Sequence, residues 1–321
     1  MKLQNFEKKN EKIRLAFEKL KAEHPEKLKQ RLNISFSTWV FGLESLEDSV
    51  ARLRKYDVDY IELGGNYGGK DVGYQADIKN VREILSRYDM KVSGICGFFS
   101  DENALSTPSN FARQTAKEYI KAGAEFCREI GGTYLLVVPG PVGRSSCYDT
   151  SDFTRSAATL REVADVFVET GVKCAVEPIN SAEVPFCSSV KSVIEYIQAV
   201  DHTGVQHING DIFHMHCEES HVGEAILACG DRLINLHVED TTRQALGTGM
   251  MDMDTVIRAL YLLGYNRPGC FVTGEPLGPG RDSYKIMFGQ HDKKVLDSMV
   301  EQTVNVIRER ENELLNKNPP A

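Results

Sequence analysis

From residue 32 onward, short apolar runs alternate with longer amphipathic stretches along nearly the whole chain. The apolar runs fall at 32–37, 58–63, 91–97, 133–138, 172–177, 205–211, 232–238 and 269–275. Each has the length and flanking punctuation of a fully buried strand. Between them, apolar positions recur at helical spacing over 46–56, 74–88, 111–130, 151–171, 188–200, 218–229, 253–263 and, last, 292–315. Ser151-Asp152 supplies N-cap chemistry, and Gly131-Gly132, Gly171, Gly230 and Gly264 stand where helices close. Strand followed by helix, eight times over, with longer loops after the strands, predicts a (β/α)8 TIM barrel. The rival open, doubly wound sheet calls for a glycine-rich phosphate turn after an early strand, and the chain has no GxGxxG.

Ahead of the barrel, residues 5–29 are rich in Lys and Glu, with a thin apolar stripe of Phe6, Ile13, Leu15, Phe17 and Leu20. This predicts an extra N-terminal helical arm, interrupted near Pro25. Two fates are open to it: a solvated, fraying helix, or a helix packed on the barrel or on a neighbouring subunit. The expected organisation is an arm over 1–30, a catalytic barrel over 31–315 and a frayed tail over 316–321.

The chemistry gathers at the ends of the last four apolar runs, which finish on or near Glu177, Asp211, His237 and Glu275. In such a barrel, functional side chains project from the C-terminal strand ends, so these four would converge. A single acid there is ordinarily a loop cap or a salt-bridge partner. Four ligand-type residues at corresponding ends of successive strands make a metal site the better reading. Three carboxylates and one imidazole suit Mn²⁺, Co²⁺ or Mg²⁺, and zinc can also occupy such a set.

Composition narrows the partners. A net charge of −8 and a pI near 5.6 argue against nucleic acid. The eight cysteines form no CxxC pair, and several lie inside strand-like runs, which fits a reducing cytoplasm better than a disulfide framework. The residues after Met1 have no apolar core, so no signal peptide is expected, and no apolar stretch is long enough to span a membrane.

Four passages, in this order, carry a family resemblance. They are Val176-Glu177-Pro178-Ile179-Asn180 with Glu183 beyond it; Asp211-Ile212-Phe213-His214-Met215 followed by Glu218-Glu219; His237-Val238-Glu239-Asp240-Thr241-Thr242-Arg243 followed by Gly247-Thr248-Gly249; and Gly274-Glu275-Pro276. From about residue 32 to 275 the sequence resembles the xylose-isomerase-like barrel group of sugar isomerases and epimerases. The nearest likeness is to the ketose 3-epimerases of the D-tagatose/D-psicose type. The resemblance implies that Glu177, Asp211, His237 and Glu275 hold a divalent ion, Mn²⁺ or else Co²⁺ or Mg²⁺. It implies that Glu177 and Glu275 also move protons next to a sugar carbonyl through an enediolate. His214 and Arg243 would hold substrate oxygens, with Glu183 behind them and Trp39 lining the pocket.

On residue type alone, His214, read as lying on a loop after its strand, is as readily structural, Arg243 is as readily a solvated cation, and His207 reads as packed interior. The N-terminal arm, the opening Ser35-Phe36-Ser37-Thr38-Trp39 and the loop Pro139-Gly140-Pro141-Val142-Gly143-Arg144 depart from the epimerase pattern. These loops touch the distal end of a substrate. The related alternative is therefore a metal-dependent β-elimination lyase on a 3-keto sugar, of the inosose-dehydratase kind or like the barrel subunit of a C-glycoside deglycosidase. A phosphodiesterase like endonuclease IV would need more histidines and a basic groove. The expected partner is a small sugar, in a homo-oligomer or, for a deglycosidase, a hetero-oligomer with a small subunit.

Overall fold

The structure is a computed structural model that describes residues 6–64, 77–278 and 284–315. Eight strands form a closed barrel in sequence order, every neighbouring pair parallel: β1 (Ile34–Ser37), β2 (Tyr60–Gly64), β3 (Lys91–Cys96), β4 (Tyr134–Val137), β5 (Lys173–Val176), β6 (His207–Asp211), β7 (Leu233–Val238) and β8 (Phe271–Gly274). Pairing of Ile34 with Val272 and of Phe36 with Gly274 closes β1 on β8. This is the TIM barrel that the alternation predicts.

The helices are α1 (Phe6–Glu23), α2 (Leu46–Lys55), α3 (Ile78–Arg87), α4 (Asn110–Glu129), α5 (Asp152–Arg161), α6 (Asp165–Thr170), α7 (Val190–Val200), α8 (Ile212–Glu218), α9 (Val222–Cys229), α10 (Met253–Leu262), α11 (Tyr284–Met287) and α12 (Lys293–Leu315). The expected helix start at 74 and the tail 316–321 lie outside the described residues. Among the described residues, no helix is long and apolar enough to cross a membrane.

Two predicted helices differ in the structure. The 151–171 stretch breaks after Arg161 into α5 and α6. The 218–229 helix is α9, shorter than expected, and a separate helix, α8, precedes it from Ile212. The cause of α8 is Asp211, whose Oδ1 accepts the backbone N–H groups of Phe213 at 2.7 Å and His214 at 3.0 Å. A carboxylate in that position caps a helix and complements its dipole. His214 therefore stands on a helix that leaves the strand directly, not on a loop.

The N-terminal arm takes the packed alternative. Ile13 and Phe17 are buried, and Phe17 meets the Tyr261 ring of α10 edge-on at 6.2 Å. Asn10 donates to Asp252 and pairs with His221, each at 2.7 Å, while Lys9 meets Glu224 at 2.7 Å. Pro25 opens a 3₁₀ turn at the arm's end.

Inside the barrel the side chains are layered, as strand alternation in a tilted barrel requires. Tyr134, Ala175, Ile234 and Phe271 form an apolar floor. Above it lies a fully buried polar layer of Ser35, Glu62, Ser93, Asn209, Asn235, His237 and Thr273. His207 differs from its sequence reading. It is only half-buried, at the start of β6, with an unpartnered Nδ1. Burial, with Lys173 and Arg232 adding to it, lowers its pKa to about 4.

Candidate metal and proton-transfer site

The strand register brings the last four strand ends to one level. Asp211 ends β6 opposite His237 of β7. Glu177 follows β5, its N–H bonded to Val137 O at 3.1 Å, and Glu275 follows β8, its N–H bonded to Val238 O at 3.1 Å. Their side chains meet at His237. Nδ1 of that ring lies 3.0 Å from Glu275 Oε2 and 3.4 Å from Glu177 Oε1. Asp211 Oδ1 is committed to the α8 cap, and Oδ2 points into the site, 3.5 Å from His214 Nε2.

The electrostatics are those of crowded, buried anions. Burial first, then the charges of Asp211 and Glu275, push Glu177 up to about 8 against the pull of His237. Burial works against the His237 imidazolium, yet the charges of Glu275 and Glu62 and its hydrogen bonds raise its pKa well above the ordinary value. Glu239 is driven up by burial, by the Asp211 charge and by a hydrogen bond with Asp211. For Asp211 burial opposes ionisation, but the Arg243 guanidinium holds it down as a carboxylate.

Of the expected substrate-side residues, His214, Arg243 and Glu183 cluster, and Trp39 stands apart from them. Arg243 Nη2 sits 3.1 Å from His214 Nε2, its Nη1 bonds Glu183 at 3.1 Å, and its guanidinium covers the Phe213 ring at 4.6 Å. A guanidinium only donates, so His214 Nε2 is the lone-pair nitrogen. Burial, reinforced by Arg243, lowers the His214 pKa, which makes the Asp211 contact that of a neutral ring beside a carboxylate. His214 Nδ1 and Asn180 Nδ2 are 2.8 Å apart, and Asn180 also reaches Glu183 at 2.8 Å. Trp39 lies on a buried 3₁₀ turn after β1, with ring centroids 5.9 Å from Phe98 and 6.0 Å from Phe288.

Arg243 belongs to a loop organised by Asp240. That carboxylate accepts the N–H groups of Thr241 at 2.8 Å, Gly247 at 2.8 Å and Met251 at 3.1 Å. A Cβ on Gly249 would collide with it. Arg243 itself has φ 61°, left-handed for a non-glycine residue, and its N–H bonds Asp240 O at 2.8 Å.

Sequence reasoning did not find Glu62, Tyr134, Asn209, Asn235 or Cys96. Glu62 Oε1 and Oε2 lie 3.0 and 3.1 Å from His237 Nε2. Asn209 Nδ2 donates to Glu177 Oε1 at 2.8 Å, and Cys96 Sγ is 3.9 Å from Glu275 Oε1. The available signal for Glu62 was one acid inside an apolar run.

The donors fit a divalent cation. Glu177, Asp211 and His214 can offer atoms within 4.8 Å of one another, as can Glu62, Cys96, His237 and Glu275. The four residues picked from sequence draw on both groups, which the 3.4 Å contact between Glu177 Oε1 and His237 Nδ1 joins. Their oxygen-rich set with one imidazole suits Mn²⁺-type ions. The raised pKa values of Glu177 and His237 mark a site crowded with negative charge, where a cation is favoured.

Comparisons with known proteins bear on the fold and the family. The L-ribulose 3-epimerase of Methylomonas sp. (strain DH-1) is 24% identical over 207 residues, 62% of this chain and 69% of that protein. The 3-dehydro-D-guloside 4-epimerase of Escherichia coli (strain K12) is 29% identical over 238 residues, 71% of this chain and 87% of that protein. A solved structure of an L-ribulose 3-epimerase superposes with a TM-score of 0.77 at 18% identity, covering 89% of this chain and 96% of that one. Residues 50–285, a span that includes every strand end of the site from Glu62 to Glu275, match the xylose isomerase-like TIM barrel family, and the chain belongs to that family.

Proposed function

We propose that the protein is a divalent-metal-dependent sugar epimerase that inverts C3 of a free ketose. The carrying observation is the pair Glu177 and Glu275, which reach His237 Nδ1 at 3.4 and 3.0 Å from strands on either side of β7. In this reading Glu177, Asp211, His237 and Glu275 hold the ion, Mn²⁺ or in its place Co²⁺ or Mg²⁺. The bound ion supplies Lewis-acid polarisation of the substrate's carbonyl and neighbouring hydroxyl.

The protein's own groups do the rest. One glutamate takes the C3 proton, leaving the electron pair in an enediolate. The other returns a proton to the opposite face, and C3 inverts. Two bases are required because one alone would return the proton to the face it left. Arg243 has an unpartnered Nε–H, and with neutral His214 it orients substrate oxygens, while Glu183 steadies the guanidinium. Trp39 walls the distal end of the sugar.

A second reading keeps the proton abstraction and changes the outcome to β-elimination from a 3-keto glycoside. The E. coli relative, a 3-dehydro-D-guloside 4-epimerase by name, supports the 3-keto glycoside as substrate class, although its named reaction is an epimerisation. One experiment separates the two. The Mn²⁺-loaded protein is incubated in D₂O with ketoses, 3-keto glycosides and inososes and followed by NMR. Deuterium at C3 with inversion is the expected result. Release of a leaving group makes the protein a lyase, and absence of exchange or elimination with every sugar defeats both readings.

The loop around Asp240 yields a smaller prediction. Asp240→Ala strands three backbone donors, at about 1–3 kcal/mol for a buried one. The loop that aims Arg243 then loosens, and KM is expected to rise about tenfold, the equivalent of 1.4 kcal/mol in binding, with kcat less affected. Steady-state kinetics beside a thermal melt test this, and an unchanged KM in a folded variant would refute it.

A further inference from the structure

Glu62 belongs to no motif, and its carboxylate is fully buried in the middle of the barrel. A register irregularity between Ile61 and Glu62 pairs Glu62 with Gly94, passing over Ser93 on β3. Such bulges re-aim side chains. Gly94 in turn leaves room for the Tyr134 ring, which a Cβ there would meet at 2.5 Å.

Three donors converge on Glu62. Tyr134 Oη–H reaches Oε1 at 2.6 Å and Asn235 Nδ2 reaches Oε1 at 3.1 Å, while His237 Nε2 faces both oxygens at 3.0 and 3.1 Å. An ionised carboxylate is acceptor-only and has lone pairs for all three. The hydrogen between His237 and Glu62 therefore belongs to Nε2.

The rest of the layer follows from that choice. Asn235 turns Nδ2 towards Glu62, and the same group donates to Asn209 Oδ1 at 2.7 Å, while its own Oδ1 accepts Thr273 Oγ1–H at 2.6 Å. Asn209 must then turn its Nδ2 upward, to Glu177 Oε1 at 2.8 Å and to His237 Nδ1 at 3.3 Å.

We infer that Glu62 is a positioning residue for the metal centre: it keeps the His237 proton on Nε2 so that Nδ1 faces the ion as a ligand, and through Asn235 and Asn209 it fixes the carboxylate of Glu177. The inference rests on the metal-dependent reading above. Carboxylate–histidine–metal arrangements of this kind raise ligand basicity and fix ring orientation. Glu62 touches neither ion nor substrate in this arrangement and acts only through other side chains.

The isosteric Glu62→Gln is the informative variant. Its single oxygen is taken by Tyr134 and Asn235, so its amide N–H₂ faces His237 Nε2. That nitrogen must become the acceptor, the proton moves to Nδ1, and a cation is opposed there. Mn²⁺ affinity, measured by calorimetry or by EPR of free Mn²⁺, is expected to fall about 10- to 100-fold. Tyr134→Phe removes one donor without touching the tautomer, and its affinity should fall less than that of Glu62→Gln.

The spectroscopic signature is the histidine ¹⁵N pattern in Mg²⁺-loaded protein, which should show wild-type His237 protonated on Nε2. Unchanged Mn²⁺ affinity in folded Glu62→Gln overturns the inference. So does a loaded wild-type ring protonated on Nδ1, a readout that needs no variant should Glu62→Gln fail to fold. A wild-type protein that binds no Mn²⁺ removes the metal-dependent reading itself, an outcome distinct from either.

Discussion

Glu177→Gln and Glu275→Gln are each expected to lower turnover by about a hundred- to ten-thousandfold, the usual worth of a positioned acid or base. Each substitution removes a base and one negative charge beside His237 Nδ1, where the two carboxylates stand 3.4 and 3.0 Å away. The double variant should lose little more than the worse single one, because the two act as a unit. Metal content has to be measured for each, so that lost binding is not mistaken for lost proton transfer.

The pair also discriminates between reactions. In a two-base epimerase, a single variant that retains its ion can still exchange the proton of one epimer with solvent while failing to invert it. A lyase needs a base on one face only, so one of the two glutamates would tolerate replacement. Near-normal turnover in both metal-retaining variants would remove both glutamates from proton transfer and make His214 the next group to test.

What could be read from the chain depended on where a residue lay in its element. Glu177, Asp211, His237 and Glu275 each close an apolar run, so alternation of strand and helix was enough to bring them to one level. Glu62 was hidden by the same logic. It sits inside the run Tyr60–Gly64, and a register shift at that residue, with a second between Ile208 and Asn209, sets the polar layer beneath the site. Bulges are properties of two strands together and leave no mark on either alone.

The helix breaks were hidden for a related reason. Residues 152–170 contain neither Gly nor Pro, yet the helix stops at Arg161 and restarts at Asp165. At Asp211 one carboxylate does two jobs: Oδ1 caps α8 and Oδ2 serves the site. Reading it as a ligand alone left the helix start unseen and put His214 on a loop. The tie between Asp240 and the Arg243 loop was likewise invisible, because it runs through backbone N–H groups that carry no sequence signal.

Removal of the ion is the second large effect, and its pH dependence follows from the buried acids. Exhaustive chelation is expected to abolish turnover, and Mn²⁺ or Co²⁺ to restore it. At a thousand times its dissociation constant, an ion that binds only the folded chain adds about 4 kcal/mol to stability, so the chelated protein should melt several degrees lower. In the metal-free protein the pKa of Glu177 rises from 4.5 to about 8 through burial, and that of His237 rises from 6.5 through Glu275 and Glu62 despite burial. Both are raised in the folded state. Their stabilisation is therefore complete below the unfolded values and is lost as pH climbs through the folded ones. An ion that takes the place of these protons binds more tightly as pH rises, by about tenfold per pH unit for each proton displaced. The gap between loaded and chelated melting temperatures should accordingly widen from pH 6 to pH 8, as calorimetry at fixed free Mn²⁺ would record. A gap that narrows over that range, or full turnover in protein shown by elemental analysis to hold no metal, would sink the assignment of Glu177 and His237 to the ion.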